Sequence, residues 1–274
     1  MQIEMLAVTT ADIPPGQYTS SYLVAAGDAA GDPIDGGGDL LAVDAGCLGF
    51  WNDPEDQMRV KHVLLTHAHA DHIASLPLFL ENVYDFGPDC PTLYGSRATL
   101  DALRAHVFNG VIWPDFIGMS TADNAFCRVV ELEAEAPARI AGFDVLPVAV
   151  DHAVPTLGYI LSEAGAGGAA ARAAVFAADS RETDRLWAAA AEGGRTPVIA
   201  FLEASFPDSM SALAELSAHL TPATLATEAA KLPADTRIVA VHVKPRFKAQ
   251  IAAELDALGM PHLVMGRPNQ RFGV

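Results

Sequence analysis

The sequence predicts a mixed α/β fold in which two β-sheets lie face to face with helices outside both. Two observations predict it. Segments typical of strands cluster in each half of the 274-residue chain, and segments typical of helices follow them. The interleaving of helices with strands in the second half is the other observation. Since no residue-level repeat and no low-complexity linker divides the chain, one domain over residues 1–274 is expected.

Strands dominate the first half. Short runs rich in Val and Leu predict strands at residues 4–8, 21–27, 39–46 and 60–66. The connection at 28–38 is rich in Gly, Asp and Pro, which is typical of a hairpin loop. Residues 96–108 (SRATLDALRAHVF) carry apolar residues at helical spacing behind Ser96, a suitable N-cap, and therefore predict a helix.

The second half interleaves strands with helices. Apolar runs predict strands at 128–133, 142–152, 157–163, 173–179, 197–204 and 237–243. Helical spacing predicts helices at 182–193, 209–219, 221–232 and 247–258. Thr221 and Pro222 mark the start of the third of these helices, as N-cap and first helical residue.

The net charge of −17 at pH 7 is the strongest bulk signal. A field of this sign repels phosphate backbones and the sequence has no basic run, so a nucleic-acid polymer is not expected as a partner. Small anions stay compatible with the chain because a bound metal reverses the local sign. No apolar run approaches the length that spans a bilayer, so no membrane partner is expected either.

The cysteines and the start of the chain bear on its compartment. Cys47, Cys90 and Cys127 are odd in number and widely spaced, which favours three small, partly buried hydrophobic residues over a disulfide framework. This usage fits a reducing compartment. The first sixteen residues have no basic region ahead of an apolar stretch and do not resemble a secretory signal, although earlier removal of a leader stays open. A cytoplasmic location is expected.

The densest group of metal-type side chains follows the fourth predicted strand. The stretch THAHADH (66–72) holds His67, His69, Asp71 and His72. Imidazole nitrogens and carboxylate oxygens are the donors that first-row divalent metals favour. If the chain turns here, His67 and His69 face one metal. Asp71 and His72 then face a second, in an arrangement used for phosphoryl and acyl hydrolysis.

Three further donors each close an apolar strand: His152, Asp179 and His242. A lone His at such a place is usually a surface residue or a satisfied core residue, and a lone Asp is usually a cap. Each is therefore a weak signal by itself. Together with the histidine cluster they predict a metal site.

The combination of THAHADH with the three later donors resembles the metallo-β-lactamase superfamily over nearly the whole chain. The resemblance implies a four-layer αββα sandwich, with mixed and antiparallel sheets and outer helices, and a dinuclear metal site along one sheet edge. It implies that Asp179 bridges the metals. The other implied ligands are His67, His69 and His152 for one metal, and Asp71, His72 and His242 for the other. Asp44 matches a strand-end Asp often found near the site, and a supporting role and a structural cap stay equally open for it.

Further segments are similar to the class II cyclic-nucleotide phosphodiesterases. That family has an Asn and an IWPDF-like segment, matched in HVFNGVIWPDF (106–116). Its Glu-x-Ser-Phe-Pro and His-Leu-Thr-Pro elements are matched within 203–222, and its Lys-Pro within 241–247. The resemblance implies hydrolysis of 3′,5′-cyclic nucleotides, cyclic AMP first among them, to 5′-monophosphates.

The chemistry of such a hydrolase predicts three catalytic residues. Two cations would stabilise the negative charge of the transition state and lower the pKa of bound water to about 7, which supplies hydroxide. Asp71 is counted both as a metal ligand and as a catalytic residue. The leaving alkoxide needs a proton, and His219 is a suitable donor if Glu203 holds its ring. The other interpretation makes Glu203 a surface acid and His219 a helix C-terminal charge. We favour the catalytic pair, because a comparable Glu–His pair occurs in the branch that matures transfer RNA.

The remaining expectations concern ligands and partners. Trp113 is expected to stack on a purine and Asn109 to hydrogen-bond the base or sugar, while a loop that only plugs the core stays open. The expected cofactors are two divalent metal ions, zinc in first place and manganese or iron as alternatives. The partner is then a small-molecule cyclic nucleotide, with a homodimer as one option. The alternative functions are another phosphodiesterase or ester hydrolase of the superfamily, such as a transfer-RNA 3′-processing enzyme, and a metal-binding sensor without turnover.

Overall fold

The computed structural model of the chain describes residues 1–6, 8–10, 13–16, 19–27, 33–163 and 170–274. Contacts divide it into two compact units. The N-terminal unit comprises Met1–Glu133 with Pro268–Gly273, and the C-terminal unit comprises Ala134–Arg267 with Val274. The single domain expected over residues 1–274 stays a prediction.

Strands and helices occur in both units. The strands in chain order are β1 (Gln2–Met5), β2 (Val8–Thr10), β3 (Ile13–Gly16), β4 (Tyr22–Ala25), β5 (Leu40–Val43), β6 (Val60–Leu64), β7 (Thr92–Gly95), β8 (Arg128–Glu131), β9 (Ala138–Ile140), β10 (Phe143–Val150), β11 (Thr156–Ser162), β12 (Ala171–Phe176), β13 (Arg195–Glu203), β14 (Arg237–Val241), β15 (Leu263–Met265) and β16 (Arg271–Gly273). The α-helices are α1 (Pro54–Gln57), α2 (Ala70–Ile73), α3 (Leu76–Asn82), α4 (Arg97–His106), α5 (Phe116–Met119), α6 (Arg185–Ala191), α7 (Ser211–Leu216), α8 (Pro222–Ala229) and α9 (Lys248–Ala257). Short 3₁₀ turns cover Leu48–Phe50, Asp208–Met210 and Pro245–Phe247.

The main sheet of the N-terminal unit has the order β16-β1-β4-β5-β6-β7-β8 among the described residues, and β2 pairs with β3 apart from it. Strands β16 to β5 pair antiparallel, and β5 to β8 pair parallel. Since β5 and β6 are parallel neighbours, their carboxyl ends share one edge. The backbone N–H of Asp44, just after β5, donates to the carbonyl of Leu64 at 2.8 Å. This edge carries the histidine cluster.

Helices α3 and α4 cover the apolar core of this unit. Phe79 of α3 and Leu103 of α4 are fully buried in the same cluster as the strand residues. The α4 helix begins as predicted, because the hydroxyl of Ser96 accepts the backbone N–H of Thr99 at 3.2 Å. Cys47 also lies within this core, as expected of a small hydrophobic residue.

The sheet of the C-terminal unit has the order β15-β14-β13-β12-β11-β10-β9 among the described residues. Strands β9 to β12 pair antiparallel, and β12 to β15 pair parallel. It follows that β10, β12, β13 and β14 run in one direction and end at the same edge. His152, Asp179, Glu203 and His242 stand at or just beyond those four ends.

The second core lies against this sheet. Leu186 of α6, Leu225 of α8 and Ile251 of α9 are fully buried in it. The start of α8 is as predicted: Thr221 and Thr224 form a reciprocal capping box, and Pro222 takes the first helical position.

The predicted α/β fold class is confirmed, since the described residues form two mixed sheets flanked by helices. The sequence does not predict helices α1, α2, α3 and α5 or strands β3, β7, β9, β15 and β16. Within the predicted strand 4–8, residue 7 lies outside the described residues, as does much of the predicted loop at 28–38. In the described part of the chain, the helices are all too short or too polar to cross a membrane.

Candidate functional site

The histidine cluster of the N-terminal unit forms a tight turn after β6. His67 and His72 are buried, whereas His69 and Asp71 are half-buried. The ring centroid of His67 lies 4.6 Å from that of His69 and 4.1 Å from that of His72. His67 and His69 each offer a donor atom within 4.8 Å of the other's, and so do Asp71 and His72. The cluster therefore supplies the two donor pairs that the sequence predicts.

Asp44 orients part of this cluster from behind. It has a left-handed backbone conformation (φ 58°), which Asp tolerates better than most residues. Its buried carboxylate accepts the backbone N–H of Thr66 at 2.8 Å and Nδ1 of His72 at 2.7 Å. Because a carboxylate fixes both the tautomer and the orientation of the imidazole it touches, Asp44 acts on His72 as partners of metal-bound histidines do.

The hydroxyl of Thr66 extends this support to a second ring. Thr66 Oγ1 lies 3.0 Å from each oxygen of Asp44 and 3.0 Å from Nδ1 of His67. It is also 3.3 Å from Nδ1 of His72. Asp44 therefore contacts one imidazole directly and a second through Thr66.

In the C-terminal unit, Asp179 lies between two histidines. Its Oδ2 is 4.0 Å from Nε2 of His152 and 3.3 Å from Nε2 of His242. Asp179 is buried, and the left-handed conformations of Ala178 and His242 (φ 57° and 53°) turn the chain at the two strand ends. The three predicted strand-end donors of this unit therefore come together.

Both histidines are held at Nδ1, as in the other unit. Nδ1 of His152 donates to the carbonyl of Ala218 at 3.0 Å, and Nδ1 of His242 lies 2.7 Å from the hydroxyl of Ser205. An imidazole held at Nδ1 presents Nε2 as its ligand atom. The chemistry of this donor set fits a first-row divalent metal, since it combines imidazole nitrogens with carboxylate oxygens.

Glu203 and His219 form the predicted pair. Nδ1 of His219 lies 2.9 and 3.0 Å from the two oxygens of Glu203, a buried residue at the end of β13. The backbone N–H groups of Ser180 and Leu220 also donate to this carboxylate, at 2.9 and 3.2 Å. Burial acts to lower the pKa of His219, but the hydrogen bond and negative charge of Glu203 outweigh it, so the pKa of His219 is raised.

The ring of His219 lies beside two of the strand-end histidines. Its centroid is 5.1 Å from that of His152 and 5.4 Å from that of His242, on which it stacks. Because Glu203 is buried, its interpretation as a surface acid is wrong. An acid–base pair of this kind can move a proton at Nε2 of His219 while Glu203 holds Nδ1.

Asn109 and Trp113 serve their own loop after α4. The side-chain oxygen of Asn109 accepts the backbone N–H groups of Val111 and Ile112 at 3.0 and 2.9 Å, and its nitrogen donates to Ala105. The Trp113 ring meets Phe116 edge-on at 6.4 Å and packs against the core of the N-terminal unit. The loop interpretation accounts for these contacts, and contact of either residue with a substrate stays a prediction.

Two hydroxyl residues with evident roles were not assigned from the sequence. Thr66 and Ser205 each join a buried carboxylate to an imidazole. The available signal was the motifs themselves, since Thr66 opens THAHADH and Ser205 is the Ser of the Glu-x-Ser-Phe-Pro element. Neither motif shows which groups the hydroxyl contacts.

Comparison with known proteins identifies the family to which the chain is similar. A family model described as "Beta-lactamase superfamily domain" matches residues 45–243. The chain is 32% identical over 96 residues to the 3′,5′-cyclic-nucleotide phosphodiesterase 1 of Saccharomyces cerevisiae, which is 33% of this chain and 24% of that protein. It is also 32% identical over 106 residues to the ribonuclease Z of Kineococcus radiotolerans, 38% of this chain and 32% of that one. The chain thus aligns with about a third or less of the length of either curated relative.

The solved structures extend the likeness over nearly all residues. The crystal structure of unliganded yeast PDE1 matches 98% of this chain and 98% of that chain, with a TM-score of 0.74 and 19% identity. A likeness at this identity shows the fold alone. It confirms the α/β fold class implied by the resemblance to the metallo-β-lactamase superfamily.

Proposed function

The chain belongs to the beta-lactamase superfamily, and from this we propose that it is a metal-dependent phosphodiesterase that hydrolyses 3′,5′-cyclic nucleotides to 5′-monophosphates. Cyclic AMP is the first candidate substrate. Cyclic-nucleotide phosphodiesterases of two yeasts are among its curated relatives, which supports this branch of the family. The observation that carries the proposal is the buried Glu203–His219 pair, whose imidazole lies against those of two strand-end histidines.

The proposed centre holds two divalent metal ions, with zinc in first place and manganese or iron as alternatives. Asp179 is assigned to both ions. The other proposed ligands are His67, His69 and His152 for one ion, and Asp71, His72 and His242 for the other. The close donor groups within each unit and the Nδ1 hydrogen bonds support this set. When bound, such ions polarise the phosphoryl oxygens and lower the pKa of a coordinated water to about 7.

The chain's own residues handle the leaving group. Cleavage of a cyclic phosphodiester releases the ribose 3′-oxygen as a strongly basic alkoxide, which needs a proton. Nε2 of His219 is proposed to donate it, because Glu203 holds Nδ1 and favours the protonated ring. A positioned acid of this kind typically contributes about 10²- to 10⁴-fold in rate.

Asn109 and Trp113 are proposed substrate contacts. The amide of Asn109 is exposed, and the indole N–H of Trp113 is buried with no hydrogen-bond partner among the described residues. A buried donor of that kind costs free energy until it is paired. The Trp113 ring is proposed to stack on the purine, and Asn109 to hydrogen-bond the base or sugar.

Ribonuclease Z activity is the second candidate, because several curated relatives have that name. Their alignments cover 39% or less of this chain. The net charge of −17 opposes it, since an RNA backbone is repelled by such a field. A metal-binding sensor without turnover is the third candidate, and only an activity assay separates it from an enzyme.

The test uses the full chain, stripped with a chelator and reloaded with zinc, manganese or iron. The metal content is measured, and turnover is followed on cyclic AMP, bis-p-nitrophenyl phosphate and a precursor transfer RNA. The proposal expects two ions per chain and metal-dependent formation of 5′-AMP. Cleavage of the RNA alone would instead assign the ribonuclease function. Two bound ions without turnover on any phosphodiester would assign the sensor.

A further inference from the structure

The hydroxyl of Ser205 occupies a junction that the proposed chemistry does not use. Ser205 is fully buried two residues beyond the end of β13. Its Oγ lies 2.6 Å from Oε2 of Glu203 and 2.7 Å from Nδ1 of His242. Longer contacts reach the carbonyl oxygen of His242 at 3.0 Å and Nδ1 of His219 at 3.4 Å. One oxygen thus joins a carboxylate to an imidazole that is a proposed metal ligand.

Proton counting fixes the direction of these hydrogen bonds. A hydroxyl has one proton to donate, and an ionised carboxylate can only accept. The 2.6 Å contact has the length of a hydroxyl donating to a carboxylate, so the proton of Ser205 points to Glu203. The 2.7 Å contact must then be donated by the ring, and His242 carries a proton on Nδ1.

The same device occurs in the N-terminal unit. There the carboxylate of Asp44 accepts the hydroxyl proton of Thr66, and Thr66 accepts Nδ1–H of His67 at 3.0 Å. In both units the carboxylate also binds a second imidazole directly, at His72 in one and His219 in the other. Two unrelated stretches of sequence therefore build one arrangement, which speaks against coincidence.

We propose that Ser205 and Thr66 are positioning residues for two metal ligands. Ser205 links Glu203 to His242 by hydrogen bonds, and Thr66 links Asp44 to His67. Each link holds Nδ1 of the imidazole, so that Nε2 faces a divalent metal ion. This inference rests on the proposed function, because it takes both histidines as ligands. The ligand set assigns them to different ions. Loss of the Ser205 hydroxyl therefore weakens the site that contains His242, and loss of the Thr66 hydroxyl weakens the site that contains His67. Glu203 has two tasks on this account, since it supports a ligand through Ser205 and the proton donor directly.

Four variants test the proposal by metal binding, without any use of turnover, and Ser205→Thr, which keeps the hydroxyl, is one of them. Ser205→Ala and Thr66→Val each remove one hydroxyl. Thr236→Val is the matched control, because the hydroxyl of Thr236 is also buried in the C-terminal unit but donates to a backbone carbonyl, that of Pro197, at 3.0 Å. The full chain, labelled with ¹⁵N in histidine, is stripped of metal and titrated with zinc against a competing chelator.

Loss of support behind a metal ligand typically weakens binding about 10- to 100-fold. Ser205→Ala is expected to weaken one zinc site by this factor and to shift the ring nitrogens of His242. Thr66→Val is expected to weaken the other site and to shift those of His67. Thr236→Val is expected to bind zinc like the wild type, and Ser205→Thr to retain tight binding at both sites.

The wild-type spectrum tests the proton count even if a variant does not fold. Nδ1-protonated rings for His67 and His242 support the proposal, and Nε2-protonated rings overturn it. Wild-type zinc affinity in both hydroxyl variants also overturns it, as does an equal loss in Thr236→Val. A chain that binds two zinc ions without hydrolysing a cyclic nucleotide refutes the proposed function and leaves this inference standing. A wild-type chain that binds no zinc overturns both.

Discussion

Truncation of His219 should separate substrates by their leaving groups. Cyclic AMP expels a basic alkoxide, whereas bis-p-nitrophenyl phosphate expels a nitrophenolate that leaves without a proton. If His219 supplies the proton, His219→Ala lowers kcat on cyclic AMP by about 10²- to 10⁴-fold, which corresponds to about 2.7–5.4 kcal/mol of barrier. The loss on the nitrophenyl ester should be far smaller.

The contacts around Glu203 indicate that this variant stays folded. After truncation, Glu203 keeps the hydrogen bonds from Ser180, Ser205 and Leu220, so its buried carboxylate remains satisfied. His219 is also outside the proposed ligand set. The metal content should therefore equal that of the wild type.

The assay compares kcat for the two substrates at saturating metal, with metal content measured on the same samples. His262→Ala is the control, because His262 is an exposed histidine of the same unit. Equal losses on both substrates would remove His219 from the role of proton donor. Loss of metal in His219→Ala would show instead that the ring is needed for the centre itself.

Three further predictions concern the metal centre, the thiols and a helix cap. Asp179→Ala should lose both metals and all turnover together, as metal analysis and kinetics would show, and a variant that kept two metals would contradict the ligand set. Burial raises the pKa of Cys127 to about 12, so at pH 8 almost none of it is thiolate, and a thiol reagent should label it only after unfolding in guanidinium. Cys90 is half-buried and should react first; rapid native-state labelling of Cys127 would refute this order. Ser96→Ala should lower the free energy of unfolding by about 1 kcal/mol, because the backbone N–H of Thr99 loses its cap, and an unchanged denaturation midpoint would show that the cap contributes nothing.

The elements that could be predicted from the sequence are those with a local signal. Helix α4 has apolar residues at helical spacing behind Ser96, and α8 has Thr221 followed by Pro222, so both starts were predicted correctly. Strand β16 has no such signal. It is three residues long and pairs with β1 at the opposite end of the chain, and such pairing depends on tertiary contacts rather than on local pattern.

The same distinction holds within the candidate site. Donors at strand ends were predictable because an apolar run that stops at a His or an Asp is visible in the sequence. The direction of a side chain is not visible. The sequence predicts that Asn109 contacts a nucleotide, which stays a prediction, but it does not show that the amide also binds the backbone of its own loop, as Asn side chains in turns often do. The role of Ser205 is hidden for the same reason, since the Glu-x-Ser-Phe-Pro element names the residue but not the groups that its hydroxyl contacts.

Charge balance gives the strongest reason to connect the buried carboxylates with metal ions. The proposed centre has Asp71 and Asp179 as ligands, and Asp44 and Glu203 behind the imidazoles. These four carboxylates match the four positive charges of two divalent ions. Without the ions, the net charge of −17 would oppose the binding of a phosphate monoanion at this place. If bound at this centre, the proposed ions would reverse the local sign of the charge, and so acidic a protein could then bind an anionic substrate.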